Sequence, residues 1–204
     1  MKKKKNKPGG GTATKLPANM LFTTYEITYD PLPDEAYLRL PEDVKSEFTR
    51  LYLLIEKDPW AAIEELPRWI EQYNMPVLYN YLGNAYARAG RLQKANQVIA
   101  ECYLKFPDYL FARLNYAGLF LNSGNFERME EILDHKFELS LLCPGRTKFH
   151  ITEAIAYASL MGHYFARMGN FHQAEIYYSM LKQLAPDDRS TALLHKEIYF
   201  QEYY

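Results

Sequence analysis

The side chains that could take part in chemistry are few and widely spaced along this chain. His150 and Glu153 stand three residues apart, which would place them on one face of a helix, an arrangement that some metal sites use. The chain has no HExxH motif. We therefore expect neither a metal site nor a cofactor. The histidines are His135, His150, His163, His172 and His195.

Motifs for nucleophilic catalysis and phosphate binding are missing from the sequence, which has no GxSxG, Walker or GxGxxG pattern. The two cysteines, Cys102 and Cys143, do not form a CxxC pair, so neither a disulfide framework nor a zinc site is indicated. A catalytic function has to be argued from a site, and no set of residues here indicates one. We expect a protein that is not an enzyme and has no small-molecule substrate.

The composition indicates a globular protein. The chain has 204 residues, of which 48% are hydrophobic, and this is enough for one domain with a buried core. Aromatic residues reach 15%, with 18 tyrosines against 2 tryptophans. Such an excess of tyrosine suits packing between helices and also suits an interaction surface. We assign most of these rings to packing.

Charge is distributed unevenly along the chain. Residues 1–16 hold six lysines and no acidic residue, which leaves 18 basic against 25 acidic residues in the remainder. An acidic body argues against a nucleic-acid platform. We expect residues 1–19 to be a disordered basic tail that contacts neither nucleic acid nor membrane. No apolar run long enough for a secretory signal or a membrane span is visible, which indicates a cytoplasmic protein.

Residues 20–40 are expected to form an extended N-terminal segment. Within it, Tyr25, Ile27 and Tyr29 alternate with polar residues, which is the period of a β-strand. The rest of the chain offers no second clear strand to pair with it. The segment therefore either lies extended against the folded body or pairs with a copy of itself, and the sequence leaves both alternatives open.

Residues 75–107 carry the clearest pattern of the chain. Bulky residues three or four apart form one apolar stripe, and the small residues Gly83 and Ala95 follow each other at a distance of twelve. The pattern resembles the tetratricopeptide (TPR) repeat, whose signature is W-x-x-L-G-x-x-Y, then A-x-x-x-F, then P. The matching residues are Tyr79, Leu82, Gly83, Tyr86, Ala95, Ile99 and Pro107.

The resemblance implies an all-α fold, a TPR-like superhelix of antiparallel helical hairpins over residues 41–204. The clearest copy of the pattern places a hairpin turn at Gly90 and the further copies place turns at Gly124 and Gly169, because glycine readily ends a helix. Before Gly169 eleven residues are inserted. We expect added helix to absorb most of them, with Thr147 as the N-cap. The expected hairpins are about 41–74, 75–107, 110–142 and 147–188, followed by a capping helix at 189–204.

The resemblance also implies a function. In TPR proteins the first helix of each hairpin lines a concave groove that binds peptides. The chain is then a non-catalytic adaptor or scaffold whose partner is a peptide or helix of another protein. Amide and guanidinium groups off the packing stripe suit a peptide backbone and carboxylates. The expected groove residues are Asn80, Asn84, Arg88, Asn115, Asn122, Ser159, His163 and Arg167.

An alternative is a chaperone resembling the three-repeat class that serves type III secretion translocators, with which the size and the N-terminal extension agree. The TPR clamp for heat-shock chaperone carboxylates is rejected. Asn84 and Asn115 match its asparagines, but Asn80 stands where a lysine is expected, and Ala156 and Leu160 replace its basic pair. The sequence leaves the oligomeric state open.

Overall fold

The computed structural model describes residues 25–200. This part of the chain is mostly helical, with eleven helices and two short strands. The basic tail at 1–19 and the last four residues of the expected capping helix lie outside the described residues. The strands are β1 (Glu26–Thr28) and β2 (Lys148–His150). The first helices are α1 (Glu35–Leu38), α2 (Glu42–Lys57), α3 (Pro59–Tyr73), α4 (Pro76–Arg88) and α5 (Leu92–Lys105). The remaining helices are α6 (Leu110–Asn122), α7 (Phe126–Ile132), α8 (Leu139–Leu142), α9 (Ile151–Arg167), α10 (Phe171–Leu184) and α11 (Arg189–Tyr199).

Consecutive helices pack in pairs. The contacting pairs are α2 with α3, α4 with α5, α6 with α7, and α9 with α10. The first members of these pairs, α2, α4, α6 and α9, also contact one another in that order, and α9 contacts α11. This series of helices, here called the first-helix row, is the element that positions the expected groove residues.

Three glycines end the first helices of the last three pairs. Gly90, Gly124 and Gly169 have φ values of 73°, 75° and 73°, a left-handed conformation that costs glycine little. At each of them the backbone N–H of the glycine and that of the following residue donate to carbonyls of the final helical turn, as in Arg91 N to Tyr86 O at 2.8 Å. This is the Schellman arrangement. The turns predicted at these glycines are confirmed.

The helix predicted to run to residue 142 is shorter than expected. It ends at Ile132, and Asp134 and His135 follow with φ values of 53° and 54°. The chain then turns inward, so that the Phe137 ring stacks on Tyr164 with centroids 5.6 Å apart. The Phe137 carbonyl accepts a hydrogen bond from the Tyr157 hydroxyl at 2.7 Å. These long-range contacts break a pattern that locally favours a helix.

The predicted helix start at Thr147 is wrong. Residues 148–150 form β2, which pairs in parallel with β1 and sets Ile27 opposite Phe149. The helix begins at Ile151 with His150 as its N-cap. At 17 residues it is four longer than α4, so added helix absorbs only part of the insertion.

The strand expected to have no partner in the chain therefore has one. Ile27 and Phe149 are 3% and 0% exposed, because alternation along both strands turns these two side chains into the core. The Tyr25 ring meets the edge of Phe149 at a centroid distance of 5.1 Å. Of the two alternatives for the N-terminal segment, the structure shows the one in which it lies against the helical body. The segment is not extended throughout, because Glu35–Leu38 form α1, and residues 20–24 lie outside the described residues.

Candidate partner-binding surface

The first-helix row brings expected groove residues of different hairpins together. On α4, Asn80, Asn84 and Arg88 recur every four residues and share one face. Asn80 is half-buried, and its Oδ1 accepts a hydrogen bond from Asn115 Nδ2 of α6 at 3.0 Å. The middle of the row thus carries linked amide groups from two neighbouring hairpins.

Arg88 and Asn84 differ in their availability to a partner. Arg88 Nη2 lies 3.1 Å from Glu56 Oε1 of α2, and both side chains are more than half exposed. Such a surface ion pair contributes at most about 1 kcal/mol. Asn84 is exposed and makes no side-chain hydrogen bond within the part of the chain that the structure describes. Asn84 is therefore the least committed of the expected groove residues on α4.

At the other end of the row, the expected groove residues hold the fold together. Arg167 Nε donates to Glu197 Oε1 of α11 at 2.8 Å, and its Nη1 donates to the Leu121 carbonyl of α6 at 2.8 Å. Asn122 lies beside the same guanidinium, with its Oδ1 3.5 Å from Arg167 Nη1. Substituting Arg167 would therefore disturb contacts with two neighbouring helices as well as any contact with a partner.

Glu197 of α11 binds basic side chains that were expected to bind a carboxylate of the partner. His163 Nδ1 is hydrogen-bonded to its Oε2, and Ser159, one turn earlier on α9, is half-buried. Burial alone would raise the pKa of Glu197, but hydrogen bonds from His163 and Arg167 outweigh burial, so the pKa is lowered. An internal carboxylate thus satisfies the two basic side chains on α9.

Replacing Glu197 by glutamine is expected to lower the free energy of unfolding at neutral pH by about 1 kcal/mol, a value reduced because the site is partly exposed. The folded pKa lies below the ordinary 4.5, so the stabilisation is present above that pH and is lost as the pH falls through the folded value. Urea unfolding of both proteins over a pH series measures the difference, which should shrink in acid.

Glu71→Gln is the matched control for this prediction, because Glu71 is exposed and makes no ion pair within residues 25–200. Its effect should be close to zero at every pH. A Glu197→Gln difference that stays constant down to strongly acid pH would contradict the assignment of the ionised carboxylate.

This surface also includes two tyrosines that the sequence analysis did not single out. Tyr52 of α2 and Tyr81 of α4 have ring centroids 5.6 Å apart, and Tyr52 is 50% exposed. Burial raises the pKa of Tyr81 to about 12, so its hydroxyl stays protonated and able to donate a hydrogen bond. Tyr81 precedes Asn84 by three residues, and this helical spacing is the signal that could have found it.

The His150 and Glu153 pair forms a helix cap. Glu153 Oε2 accepts a hydrogen bond from the backbone N–H of His150 at 3.0 Å, and its two oxygens bind the guanidinium of Arg146 at 2.8 Å and 3.0 Å. The Arg146 guanidinium also lies over the Phe149 ring, 4.4 Å from its centroid. Among residues 25–200, no group of three or more His, Cys, Asp or Glu side chains is arranged to hold a metal ion.

Cys102 lies where the repeat pattern places a small inward residue. It is 3% exposed, and its Sγ lies 3.7 Å from the Pro76 carbonyl oxygen. Burial raises the pKa of this thiol to about 12, so it is almost entirely protonated at neutral pH. Cys102 therefore acts as a small apolar group in the core.

A cleft of about 650 Å³ opens between the N-terminal segment, the α5–α6 connection and the start of α9. Three of the charged groups in its wall are already paired within the chain. Arg146 binds Glu153, and Lys148 Nζ lies 3.1 Å from Glu26. Because these groups satisfy one another, they are less available to a ligand.

Comparison with known proteins adds no relative: no family model, no curated protein and no solved structure matches this chain. Within the described residues, no helix is both long enough and apolar enough to cross a membrane.

Proposed function

We propose that the protein is a non-catalytic, TPR-like interaction module that binds an extended segment of a partner protein along the first-helix row. The observation that carries the proposal is the row itself, in which helices from successive hairpins lie side by side and present polar groups from one hairpin beside those of the next. The repeat pattern in the sequence and the three glycine turns give it further support.

The chemistry of the middle of the row suits a polypeptide. Asparagine side chains both donate and accept hydrogen bonds, as peptide groups do, and Asn84 has its full capacity open to a partner. The Tyr52 and Tyr81 rings lie on the same side and offer apolar contact next to those amides. An extended segment would hydrogen-bond its backbone to the asparagines and place an apolar side chain against the tyrosines.

The proposed site is confined to α2, α4 and α6. Towards α9 and α11, Glu197 already binds His163 and Arg167, so a partner would have to displace a bonded carboxylate there. For each contact that a partner gained with His163 or Arg167, the protein would lose one of its own contacts with Glu197. The partner segment is therefore expected to end before α9.

Selection of peptides from a random phage-displayed library against the whole chain tests the proposal. Enriched peptides should bind the unmodified protein, and Asn84→Arg should weaken that binding at least tenfold, about 1.4 kcal/mol, because a long cation would fill the space beside the tyrosines. The matched control is Asn96→Arg, since Asn96 is equally exposed but lies on α5 of the same hairpin. Peptides that bind both variants as tightly as the unmodified protein would contradict the proposed site.

A further inference from the structure

A second surface lies outside the first-helix row, at the turn between α4 and α5. No acidic residue occurs between Glu71 and Glu101, although the chain holds 25 of them. The cations Arg88, Arg91 and Lys94 are grouped at that turn. We call Trp60, Arg91, Leu92 and Lys94 the turn patch, because α3 and α5 both begin at this edge of the molecule.

The apolar members of the turn patch are open to solvent. Trp60 is 49% exposed and Leu92 64% exposed, and both stand at the starts of their helices. The other tryptophan, Trp69, is half-buried and packs against Phe48 and Tyr73. Tryptophan and arginine are both enriched among the residues that contribute most to binding at protein interfaces.

The two cations of the turn patch have no ion-pair partner in the described chain. Glu56, at the end of α2, is engaged by Arg88, and Asp58 caps α3 by accepting from the Trp60 backbone N–H at 3.1 Å. Arg91 and Lys94 make no ion pair with any residue of the described chain. The Arg91 guanidinium instead lies over the Trp60 ring, 5.2 Å from its centroid, a contact worth about 0.5–1 kcal/mol at an exposed site.

We propose that the turn patch binds an acidic protein segment that carries an aromatic or leucine side chain. Aspartate or glutamate of the segment pairs with Arg91 and Lys94, and its apolar side chain packs on Trp60 and Leu92. Charge complementarity selects the sign of the partner. Affinity for nucleic acid grows with the number of phosphates that a protein neutralises. The turn patch offers two free cations beside two apolar side chains, so it suits an acidic peptide better than nucleic acid. This inference does not depend on the proposed function of the first-helix row.

Nuclear magnetic resonance of the indole N–H groups tests the turn patch directly. The chain has two tryptophans, so Trp60→Phe identifies the Trp60 signal. The probe is a short synthetic peptide that alternates aspartate and glutamate with leucine and phenylalanine. Titration into the whole chain should shift the Trp60 signal to saturation and leave the Trp69 signal in place. The same peptide with lysine replacing each acid should shift neither.

Charge reversal supplies the decisive comparison. Arg91→Glu with Lys94→Glu should weaken the acidic peptide at least tenfold. Lys182→Glu with Arg189→Glu makes the same change of net charge at exposed residues elsewhere and should leave the affinity within about twofold, since distant surface charges are screened. Asn84→Arg should also leave it unchanged. Circular dichroism verifies that each variant is folded.

Four outcomes would overturn the inference. They are the absence of a Trp60 shift, equal loss of binding in the control pair, loss of binding in Asn84→Arg, and binding of a single-stranded oligothymidine at the turn patch in place of the peptide. The third would show that the acidic peptide binds the first-helix row. The fourth would assign the turn patch to nucleic acid.

Discussion

Replacing Ile27 by aspartate is expected to lower the free energy of unfolding by about 4 kcal/mol, because the change removes a buried side chain and puts a charge in its place. Ile27 is 3% exposed and packs in one cluster with Ile151 and Ala154 at the start of α9. The loss of unfolding free energy cannot exceed the free energy that holds β1 on the helical body, because the variant can release β1. Urea unfolding followed by circular dichroism measures it.

Tyr29→Asp is the matched control, two residues further along the same segment. Tyr29 is 54% exposed, so its substitution should change stability by less than about 0.5 kcal/mol. The mass in solution should be the same for both variants, because the partner of β1 is β2 of the same chain. Equal stabilities of the two variants would refute the packing of the N-terminal segment on the helical body, and a change of mass for Ile27→Asp alone would indicate pairing between copies.

Gly162→Ala is expected to destabilise the protein by up to about 2 kcal/mol. A Cβ at this position of α9 would overlap Leu194 Cδ2 and lie 3.3 Å from Tyr177 Cβ. Leu194 is fully buried, so either its side chain has to leave its packed position or α11 has to move outward. Overpacking of this kind costs about 1–3 kcal/mol, more than the roughly 1 kcal/mol that alanine gains over glycine within a helix. Thermal and urea unfolding measure the balance.

Two other helical glycines provide controls of opposite sign. A Cβ at Gly83 would lie 3.6 Å from Ile99 Cγ1, and a Cβ at Gly118 would lie 3.9 Å from Leu160 Cδ1, which are ordinary contact distances. Gly83→Ala and Gly118→Ala should each raise stability by about 0.5–1 kcal/mol through helix propensity. If Gly162→Ala also raised stability, the close approach of α11 to α9 would be wrong.

The glycine at the clearest repeat is therefore not the one that close packing requires. Gly83 fits the repeat signature and leaves room for a methyl group, whereas Gly162, in a weaker copy of the pattern, leaves none. A sequence pattern reports which small residues recur, but the distance between two helices depends on the side chains of both. Here the decisive side chain, Leu194, lies on a helix that the repeat pattern does not cover.

Features with local causes could be predicted. The turns at Gly90 and its two counterparts follow from a glycine that stands between two helical patterns, where it adopts a left-handed φ at little cost. The common face of Asn80, Asn84 and Arg88 follows from helical periodicity. Each of these inferences needs only a few neighbouring residues, and tertiary contacts did not override them.

Features that depend on distant residues could not be predicted. In β2 a single apolar residue, Phe149, stands between Lys148 and His150, a run too short to carry a strand period. Glu197 reaches His163 and Arg167 across thirty or more residues, and no spacing rule joins α11 to α9. Glu197 engages both basic side chains on α9. Asn84, by contrast, is exposed and makes no side-chain hydrogen bond within residues 25–200.

The pairing of β1 with β2 changes how the molecule is expected to fold. In a linear array of hairpins each unit touches only its neighbours, and unfolding can begin at either end. Here residues 26–28 are joined to residues 148–150, so the intervening helices form a closed loop. The entropy of closing such a loop grows slowly with its length, but contacts this distant in sequence slow folding. Fraying from the N-terminus would have to open that closure first, so the hairpins should lose structure together rather than one at a time.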